Sequence, residues 1–402
     1  MRTQRLTRGV ALVGVALAML VGVLSSGRAG WTQQPPVSQT ADAGPCGDGH
    51  PRAPTFDAET VRALTAIVEV GRLAAENPGL VVGIWVPGQG GDVRGFGTGN
   101  LATKAPISVD DRFRIASLTK TFTATAILQR IDQGRLTLDA RLSQFVEGIT
   151  YGDRITVEEL LNMTAGVYSD TDDQTFLHDY EQNPLLPFSP QDAIHMIQQH
   201  DPAFEPGTQA QYSDSHYILL GLIVERVTGR PLDQVIQTQI LDPLQMTHTS
   251  FPTTPDMLAP FAHGYYPNPG GSPRDVTESN PTVAWAAGAM ISTLEDLRIW
   301  AKALATGTLL SPSTQALRLH TVLLASGGGI QVRYGLGIAD LNGFLGHNGA
   351  IVGYGSAIFY LPSRDATIIV LGNRNTLSSP APTSIFAGLA YDLFPKQFPD
   401  GL

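Results

Sequence analysis

The segment FRIASLTKTFTATAILQRI, residues 113–131, decides what this chain of 402 residues can be. It contains Ser117 and Lys120, which form the one Ser-x-x-Lys pair in a sequence with only four lysines. Apolar residues recur after Ser117 at the spacing of one helix face, which predicts a helix that begins at this serine. Residues three apart lie on the same face of a helix, so the amine of Lys120 can reach the hydroxyl of Ser117.

A serine beside a desolvated lysine is a reactive pair. Burial favours the neutral, basic form of a lysine, and a hydroxyl next to a base becomes a nucleophile. The N-terminus of a helix also offers free backbone N–H groups and the positive end of the helix dipole to a developing anion. The alternative is a serine that only caps the helix, followed by a solvated lysine. The spacing by itself leaves both interpretations open.

Composition narrows the class of protein. The chain has 26 Lys and Arg against 36 Asp and Glu, a net charge of −10, and 43% of its residues are hydrophobic. These values are typical of a folded globular protein rather than a disordered one. An acidic chain without basic clusters beyond its extreme N-terminus lacks the patches that bind phosphate backbones, so nucleic acid is not expected as a partner. The single cysteine, Cys46, excludes an internal disulfide and cysteine-based zinc sites.

The N-terminal region indicates export followed by a tether. Three arginines precede an apolar run at 10–24 and small residues at 25–30, which is the order of a secretory signal. The run is shorter than the roughly 20 residues that span a bilayer, so we expect a signal peptide over 1–29, cleaved after Ala29. Retention of this segment as an N-terminal membrane anchor is the alternative. Residues 30–55 are rich in Pro, Gly and Gln without periodicity, and they predict a flexible linker.

The rest of the chain, residues 56–395, is predicted to form the functional domain. Strand-like alternation occurs near both of its ends, whereas the periodic segments between are mostly helical. Strands from both ends can join in one sheet, so we predict a mixed α/β fold of the α+β type. The sheet lobe is expected to come from about 56–133 and 285–395, with a mainly helical lobe inserted at about 134–284. The patterns predict strands at 80–86, 93–96, 344–345, 356–360 and 366–371, and helices at 55–76, 157–163, 190–200, 217–228, 232–240 and 382–393.

Two further segments follow Ser117 in a recognisable order. Tyr212-Ser213-Asp214 precedes an apolar helical run, and His347-Asn348-Gly349 lies in the late strand region. Together with the Ser-x-x-Lys pair, they resemble the three motifs of the serine β-lactamase and D-Ala-D-Ala carboxypeptidase superfamily. The branch that looks most similar contains class C β-lactamases, Streptomyces-type DD-carboxypeptidases, D-aminopeptidases and related esterases. The resemblance covers roughly residues 60–395 and implies an antiparallel sheet flanked by helices, with the helical lobe inserted.

The resemblance also implies a role for each motif. Ser117 would attack a carbonyl carbon and become acylated, while Lys120 and Tyr212 would take and return the proton. The backbone N–H groups of Ser117 and Ala350 would form the oxyanion hole. The residues expected to contact the substrate are His347, Asn348, Gly349, Asp214 and Arg333.

Several of these positions raise specific expectations. His347 stands where efficient β-lactamases have a lysine, and it would give the substrate a hydrogen bond or, when protonated, a charge. Gly349 would let the substrate backbone approach the strand closely. Asp214 replaces the usual asparagine, and it would either favour the charged form of Lys120 or take up a proton itself. Arg333 is a candidate clamp for a substrate carboxylate, with an ordinary surface arginine as the alternative.

These features predict an exported serine hydrolase that uses an acyl-enzyme and needs neither a cofactor nor a metal. Its partner would be a small-molecule or peptide substrate, and a peptide ending in D-Ala-D-Ala is the first expectation. Hydrolysis of esters, or weak hydrolysis of β-lactams, is the alternative on the same fold. An alternative of another class is a binding or sensing module that is acylated without turnover, which Asp214 favours. The sequence makes no prediction of the oligomeric state.

Overall fold

The computed structural model describes residues 55–268, 270–327, 329–375, 381–399 and 401. The predicted signal peptide and nearly all of the predicted linker lie outside the described residues. Within those residues, no helix is both long enough and apolar enough to cross a membrane.

The described chain alternates helices with strands at both of its ends. In chain order the helices are α1 (Ala58–Ala74), α2 (Thr119–Asp132), α3 (Val157–Leu161), α4 (Gln174–Gln182), α5 (Pro190–Gln199), α6 (Asp214–Thr228), α7 (Leu232–Ile236), α8 (Asp242–Leu244), α9 (Trp285–Gly288), α10 (Leu294–Thr306), α11 (Pro312–Arg318) and α12 (Ala381–Leu393). The strands are β1 (Gly79–Val86), β2 (Gly90–Asn100), β3 (Ala105–Pro106), β4 (Phe113–Arg114), β5 (Tyr265–Tyr266), β6 (Arg274–Asp275), β7 (Ile291–Ser292), β8 (Val322–Gly327), β9 (Ile330–Tyr334), β10 (Ala339–Leu341), β11 (Phe344–Ile351), β12 (Tyr354–Leu361) and β13 (Ala366–Gly372).

One large antiparallel sheet organises the described part of the chain. Its nine strands lie in the order β3-β2-β1-β13-β12-β11-β10-β9-β8. Strand β1, from the start of the domain, pairs with β13 from its end, so that Leu80 lies opposite Gly372. The central strands β12 and β13 are buried along their whole length, as expected for a sheet covered on both faces. The predicted mixed fold, with an antiparallel sheet assembled from both ends of the chain, is confirmed.

Helices cover both faces of this sheet. Side chains alternate between the two faces along a strand, so Leu80 and Gly83 in β1 point to opposite sides. The face of Gly372, the partner of Leu80, meets Pro382 at the start of α12, whereas Gly83 meets Leu294 at the start of α10. Helix α12 also packs against α1, and α10 packs against α2. The pair α1 and α12 therefore covers one face, and α10 with α2 covers the other.

Helix α6 connects the sheet side to the helices at 134–284. It packs against α2, α3, α5 and α9, and its residues from Ser215 to Gly221 are all buried. Gly221 allows the close contact with α9, because a Cβ at this position would lie 2.5 Å from the Cβ of Ala286. This packing brings the first turns of α2 and α6 together. Between α2 and α9, no described residue belongs to the large sheet. The division into two lobes remains a prediction.

Candidate active site

Ser117 lies in a strained turn that leads directly into α2. The turn is a short 3-10 helix, Ala116–Leu118, and Ala116 has a φ of +51°, a left-handed conformation that is uncommon for a residue with a Cβ. Two hydrogen bonds hold the preceding residue: the Ile115 N–H donates to the Met290 carbonyl at 2.9 Å, and the Ser356 hydroxyl donates to the Ile115 carbonyl at 2.8 Å. Ser117 is therefore fixed, half-exposed, at the N-terminal end of α2.

Gly349, in strand β11, packs against this turn. A Cβ on Gly349 would lie 2.4 Å from the Ile115 carbonyl oxygen and 3.0 Å from the Ala116 Cβ, so a side chain would displace the turn that carries Ser117. The sequence predicted a close approach here, but by the substrate backbone. The structure places the backbone of residues 115 and 116 against Gly349, so this glycine lets the strand approach the turn that carries Ser117, and the substrate contact of Gly349 stays a prediction.

Lys120 is completely buried and lies between three helices. Its Nζ donates to Ser117 Oγ at 3.2 Å and to the Ala287 carbonyl in α9 at 2.9 Å. The same nitrogen forms an ion pair with Asp214 Oδ1 at the start of α6, and 23% of the Asp214 side chain remains exposed. This pairing offsets part of the cost of burying an ammonium group. The structure thus brings Ser117, Lys120 and Asp214 together, and a solvated lysine does not fit its burial.

Tyr212 closes the site beside Lys120. The Lys120 Nζ lies over the Tyr212 ring, 5.0 Å from the ring centroid. The buried Tyr212 hydroxyl has no fully formed hydrogen bond with the described residues, although the nearby Ser117 side chain favours its ionised form. Burial and then the charge of Asp214 have the larger effect and raise the pKa of Tyr212 well above its usual value of 10. Tyr212 is therefore a phenol that can donate a proton.

His347 is fully buried behind Tyr212, with 6.0 Å between their ring centroids. Its Nδ1 lies against the Asn348 carbonyl, and its Nε2 forms a hydrogen bond with the Tyr334 hydroxyl at 2.9 Å. Burial and then the charge of Lys120 lower the pKa of His347 to about 3. A neutral ring with both nitrogens occupied has neither a charge nor a free hydrogen for a substrate. The substrate contact of His347 stays a prediction, and it would require one of these two ring contacts to be exchanged for the substrate.

Asn348 and Arg333 each bind a neighbouring element of the described chain. Because side chains alternate along a strand, Asn348 faces α12, where its amide donates to Thr383 Oγ1 at 3.2 Å. The Arg333 guanidinium donates to the hydroxyl and carbonyl oxygens of Thr321, both at 2.9 Å. The substrate contact of Asn348 and the carboxylate clamp of Arg333 stay predictions, and in this structure the polar groups of both side chains are engaged with Thr383 and Thr321. Both side chains hold neighbouring elements together.

Ala350 lies at an open edge beside Ser117. Strand β10 pairs with β11 only as far as Gly346, so no described strand pairs with that edge over residues 347–351. On its other side, β12 places Gly355 opposite Ala350, which is half-exposed. An open strand edge can accept an extended substrate as an additional strand. This position is compatible with the predicted oxyanion hole formed by the N–H groups of Ser117 and Ala350, which remains a prediction.

Three residues of the site were not recognised in the sequence. Tyr334 follows the more conspicuous Arg333, and only its contact with His347 Nε2 in the structure reveals its place in the site. Ala287 contributes a backbone carbonyl, for which a sequence carries no side-chain signal. Asp170 is buried in the loop before α4 and belongs to no motif. Among the described residues, no group of three or more His, Cys, Asp or Glu side chains could hold a metal ion.

The chain matches known proteins over most of its length. The family model described as Beta-lactamase matches residues 60–391. Protein flp of Staphylococcus aureus (strain NCTC 8325 / PS 47) is 29% identical over 303 residues, which cover 70% of this chain and 57% of that protein. Penicillin-binding protein 4* of Bacillus subtilis (strain 168) is 25% identical over 307 residues, which cover 71% of this chain and 66% of that protein. The chain thus spans only part of the length of these relatives.

Solved structures are similar over a larger share. The D-stereospecific amidohydrolase from Streptomyces sp. has a TM-score of 0.74 and 28% identity, with 83% of this chain and 98% of that chain covered. The D-amino acid amidase from Ochrobactrum anthropi SV3, complexed with L-phenylalanine amide, has a TM-score of 0.72 and 22% identity, with 85% and 100% covered. The octameric penicillin-binding protein homologue from Pyrococcus abyssi has a TM-score of 0.70 and 25% identity, with 83% and 77% covered.

One further histidine near Lys120 makes the stability of the protein sensitive to acid. His216, in the first turn of α6, is buried, and neither of its ring nitrogens has a hydrogen-bond partner among the described residues. Burial and then the charge of Lys120 lower its pKa to about 3. The unfolded chain accepts a proton on this ring near pH 6.5, whereas the folded chain does not. Stability is therefore lost as the pH falls from about 6.5 toward 3.

We predict that His216→Phe removes part of this acid sensitivity. A histidine kept neutral in the folded state costs about 1.4 kcal/mol per pH unit below 6.5, so the free energy of unfolding of the wild type should fall by about 2 kcal/mol relative to the variant between pH 8 and pH 5. Urea unfolding at the two pH values measures this difference. The exposed His178 in α4 provides the control, because His178→Phe should leave the pH dependence unchanged. Equal acid sensitivity of the wild type and His216→Phe would contradict the prediction.

Proposed function

Because the chain belongs to the serine β-lactamase and penicillin-binding protein superfamily, we propose that it is an exported serine hydrolase that cleaves the amide bond on the carbonyl side of a D-amino acid. The observation that carries this proposal is the buried Lys120 amine, 3.2 Å from Ser117 Oγ, with the Tyr212 phenol over the same nitrogen. A nucleophile, a base and a proton donor within one buried cluster are the components of acyl transfer.

The cluster supports a proton cycle in which the protons pass only between the side chains of the site and the substrate. Transfer of one proton from Lys120 to Asp214 would give a neutral amine, which takes the hydroxyl proton as Ser117 Oγ bonds to the substrate carbonyl carbon. Tyr212 then donates its proton to the leaving nitrogen as the carbon–nitrogen bond breaks, and the Lys120 ammonium returns a proton to the phenolate. The overall result is an ester on Ser117 and a released amine. Water would then hydrolyse this acyl-enzyme, with the same groups transferring the protons in the reverse order.

The substrate class rests on the relatives and on charge. One similar structure, at 28% identity, is named a D-stereospecific amidohydrolase, and one curated relative is named a penicillin-binding protein. A peptide ending in D-Ala-D-Ala carries a carboxylate, which usually needs a cation for recognition. Among the described residues, Arg333 is bound to Thr321, and the Lys120 charge is paired with Asp214. We therefore propose amides with an uncharged leaving group ahead of the carboxypeptidase reaction, with esters as the second candidate.

The covalent step can be tested directly by mass. We expect the wild type to gain one acyl group from a penicillin or a p-nitrophenyl ester, and Ser117→Ala to gain none. Intact-mass spectrometry measures the adduct, and Ser326→Ala, at an exposed position in β8, serves as the control that still reacts. Absence of any Ser117-dependent adduct would exclude the mechanism. A stable adduct without turnover would support a sensing module instead of a hydrolase.

Comparative turnover tests the substrate class. We expect a D-alanine amide to have a kcat/KM at least about tenfold above that of its L-enantiomer, and above that of a D-Ala-D-Ala peptide, since a factor of ten corresponds to about 1.4 kcal/mol of transition-state binding. A p-nitrophenyl ester and a chromogenic cephalosporin complete the series. Arg333→Ala should leave all the ratios unchanged. If Arg333→Ala lost kcat/KM only with the D-Ala-D-Ala peptide, the result would support Arg333 as a carboxylate clamp. Equal kcat/KM for the D- and L-alanine amides would contradict the proposal.

Export is part of the same proposal and rests on the order of charged, apolar and small residues at 2–30. We expect the chain secreted by a bacterial host to begin at Gly30, because cleavage would follow Ala29. N-terminal sequencing of the secreted protein measures this directly. Recovery of the intact N-terminus in the membrane fraction would indicate an anchor instead.

A further inference from the structure

The first turn of α6 is held by the loop that precedes α4. Its N-cap residue, Ser213, makes no capping bond with its own side chain, and the Asp214 N–H donates instead to Ser169 Oγ at 3.3 Å. Asp170 and Ser215 form a closed pair, in which the Asp170 N–H donates to Ser215 Oγ at 2.9 Å and the Ser215 hydroxyl donates to Asp170 Oδ1 at 3.0 Å. The loop therefore holds the backbone N–H of Asp214 and the side chain of the next residue, Ser215.

The Asp170 carboxyl is fully buried next to the charged pair of Lys120 and Asp214. Burial and then the charge of Asp214 raise the pKa of Asp170 to about 7, against smaller opposing effects of the Ser215 hydroxyl and Lys120. The carboxyl is therefore uncharged at mildly acidic pH, and the Lys120–Asp214 pair is then balanced. When Asp170 ionises, two carboxylates share the single ammonium of Lys120.

Several titratable groups surround Asp170: helix α6, which packs against this loop, carries the buried His216 and Tyr217 beside Ser215. In its own loop, Asp172 and Tyr168 are close enough to interact electrostatically with Asp214 and Asp170, respectively. Helices α4 and α5 also pack against the loop. Their titratable residues are the buried Tyr180, whose pKa burial raises to about 12, Glu181 beside Tyr266, and the exposed His178, Asp179, Asp192 and His195.

We propose that Asp170 is a positioning residue of the hydrolase: its carboxyl, bonded to Ser215, holds Asp214 against Lys120. The proposal rests on the proposed function, since it assigns Asp170 to the proton cycle on Ser117. It explains why an acid is buried here without a cation of its own. Ionisation of Asp170 would add a negative charge beside Lys120 and disfavour the oxyanion that forms on the substrate.

Two substitutions separate positioning from simple structural support. Asp170→Asn keeps an acceptor for the Ser215 hydroxyl and reproduces the uncharged acid, so at pH 6 its kcat should stay within about threefold of wild type. Asp170→Ala removes the acceptor, and we expect kcat to fall about tenfold or more with KM nearly unchanged, because Asp214 is no longer fixed. Between pH 6 and pH 9, kcat/KM of Asp170→Asn should rise about tenfold relative to wild type. Asp179→Asn, at an exposed acid in α4, is the control for removing one negative charge.

A second measurement does not depend on turnover. In the Ser117→Ala background, the unfolded chain releases the Asp170 proton near pH 4, while the folded chain keeps it until about pH 7. Urea midpoints should therefore fall, relative to those of the Asp170→Asn double variant, as the pH rises from 4 to 8. If this shift occurs but the wild type shows no Ser117-dependent turnover, the proposed function is wrong while the uncharged acid is supported. Parallel pH profiles of an active wild type and Asp170→Asn, or equal urea midpoints across the pH range, would overturn the inference.

Discussion

The buried ammonium of Lys120 is the constraint on which the rest of the structure depends. A buried charge without partners costs several kcal/mol, so the chain must deliver counter-groups to this one atom. They come from three places far apart in sequence: Ser117 beside α2, Asp214 at the start of α6, and the Ala287 carbonyl in α9. The close packing of α6 on α2 and α9 is therefore a requirement of the lysine as much as of the apolar core. Fold and reactive cluster are specified by the same contacts.

A second constraint links the nucleophile to the sheet. Holding Ala116 at positive φ costs roughly 1–3 kcal/mol, and such strain persists only where the surroundings compensate for it. Here the compensation is the hydrogen bonds of Ile115 to Met290 and Ser356, together with a strand that approaches closely because residue 349 has no side chain. The open edge of β11 beyond Gly346 begins at the same place. Strand β11 thus holds the turn that carries Ser117, and the open edge of the same strand leaves space beside Ser117.

How much could be predicted from the sequence depends on how far apart in the chain the interacting residues lie. The Ser117–Lys120 contact depends on helical spacing, which is local, and the order of motifs was sufficient for the family and the mixed fold. Contacts across strands depend on parity, so a pattern that names His347, Asn348 and Arg333 does not tell which of them face Ser117. Strands β8 to β10, between Val322 and Leu341, were not predicted, so the contact of Tyr334 with His347 was not foreseen. Asp170 lies in a loop between helices, where only the tertiary structure reveals a partner.

The charges in the site are already balanced. This favours a reaction that moves protons between the groups of the site and brings in no charged substrate. His347 is neutral, Tyr212 keeps its proton, and Lys120 is balanced by Asp214. In a buried cluster of this kind, each proton transfer exchanges one neutral or paired state for another, so little solvent reorganisation is needed. A substrate with a formal charge would disturb that balance, whereas an uncharged amide or ester would preserve it until the oxyanion forms. The departures from the common motifs at 214 and 347 then act together: Asp214 adds the negative charge that balances Lys120, and the neutral His347 leaves out a second positive charge.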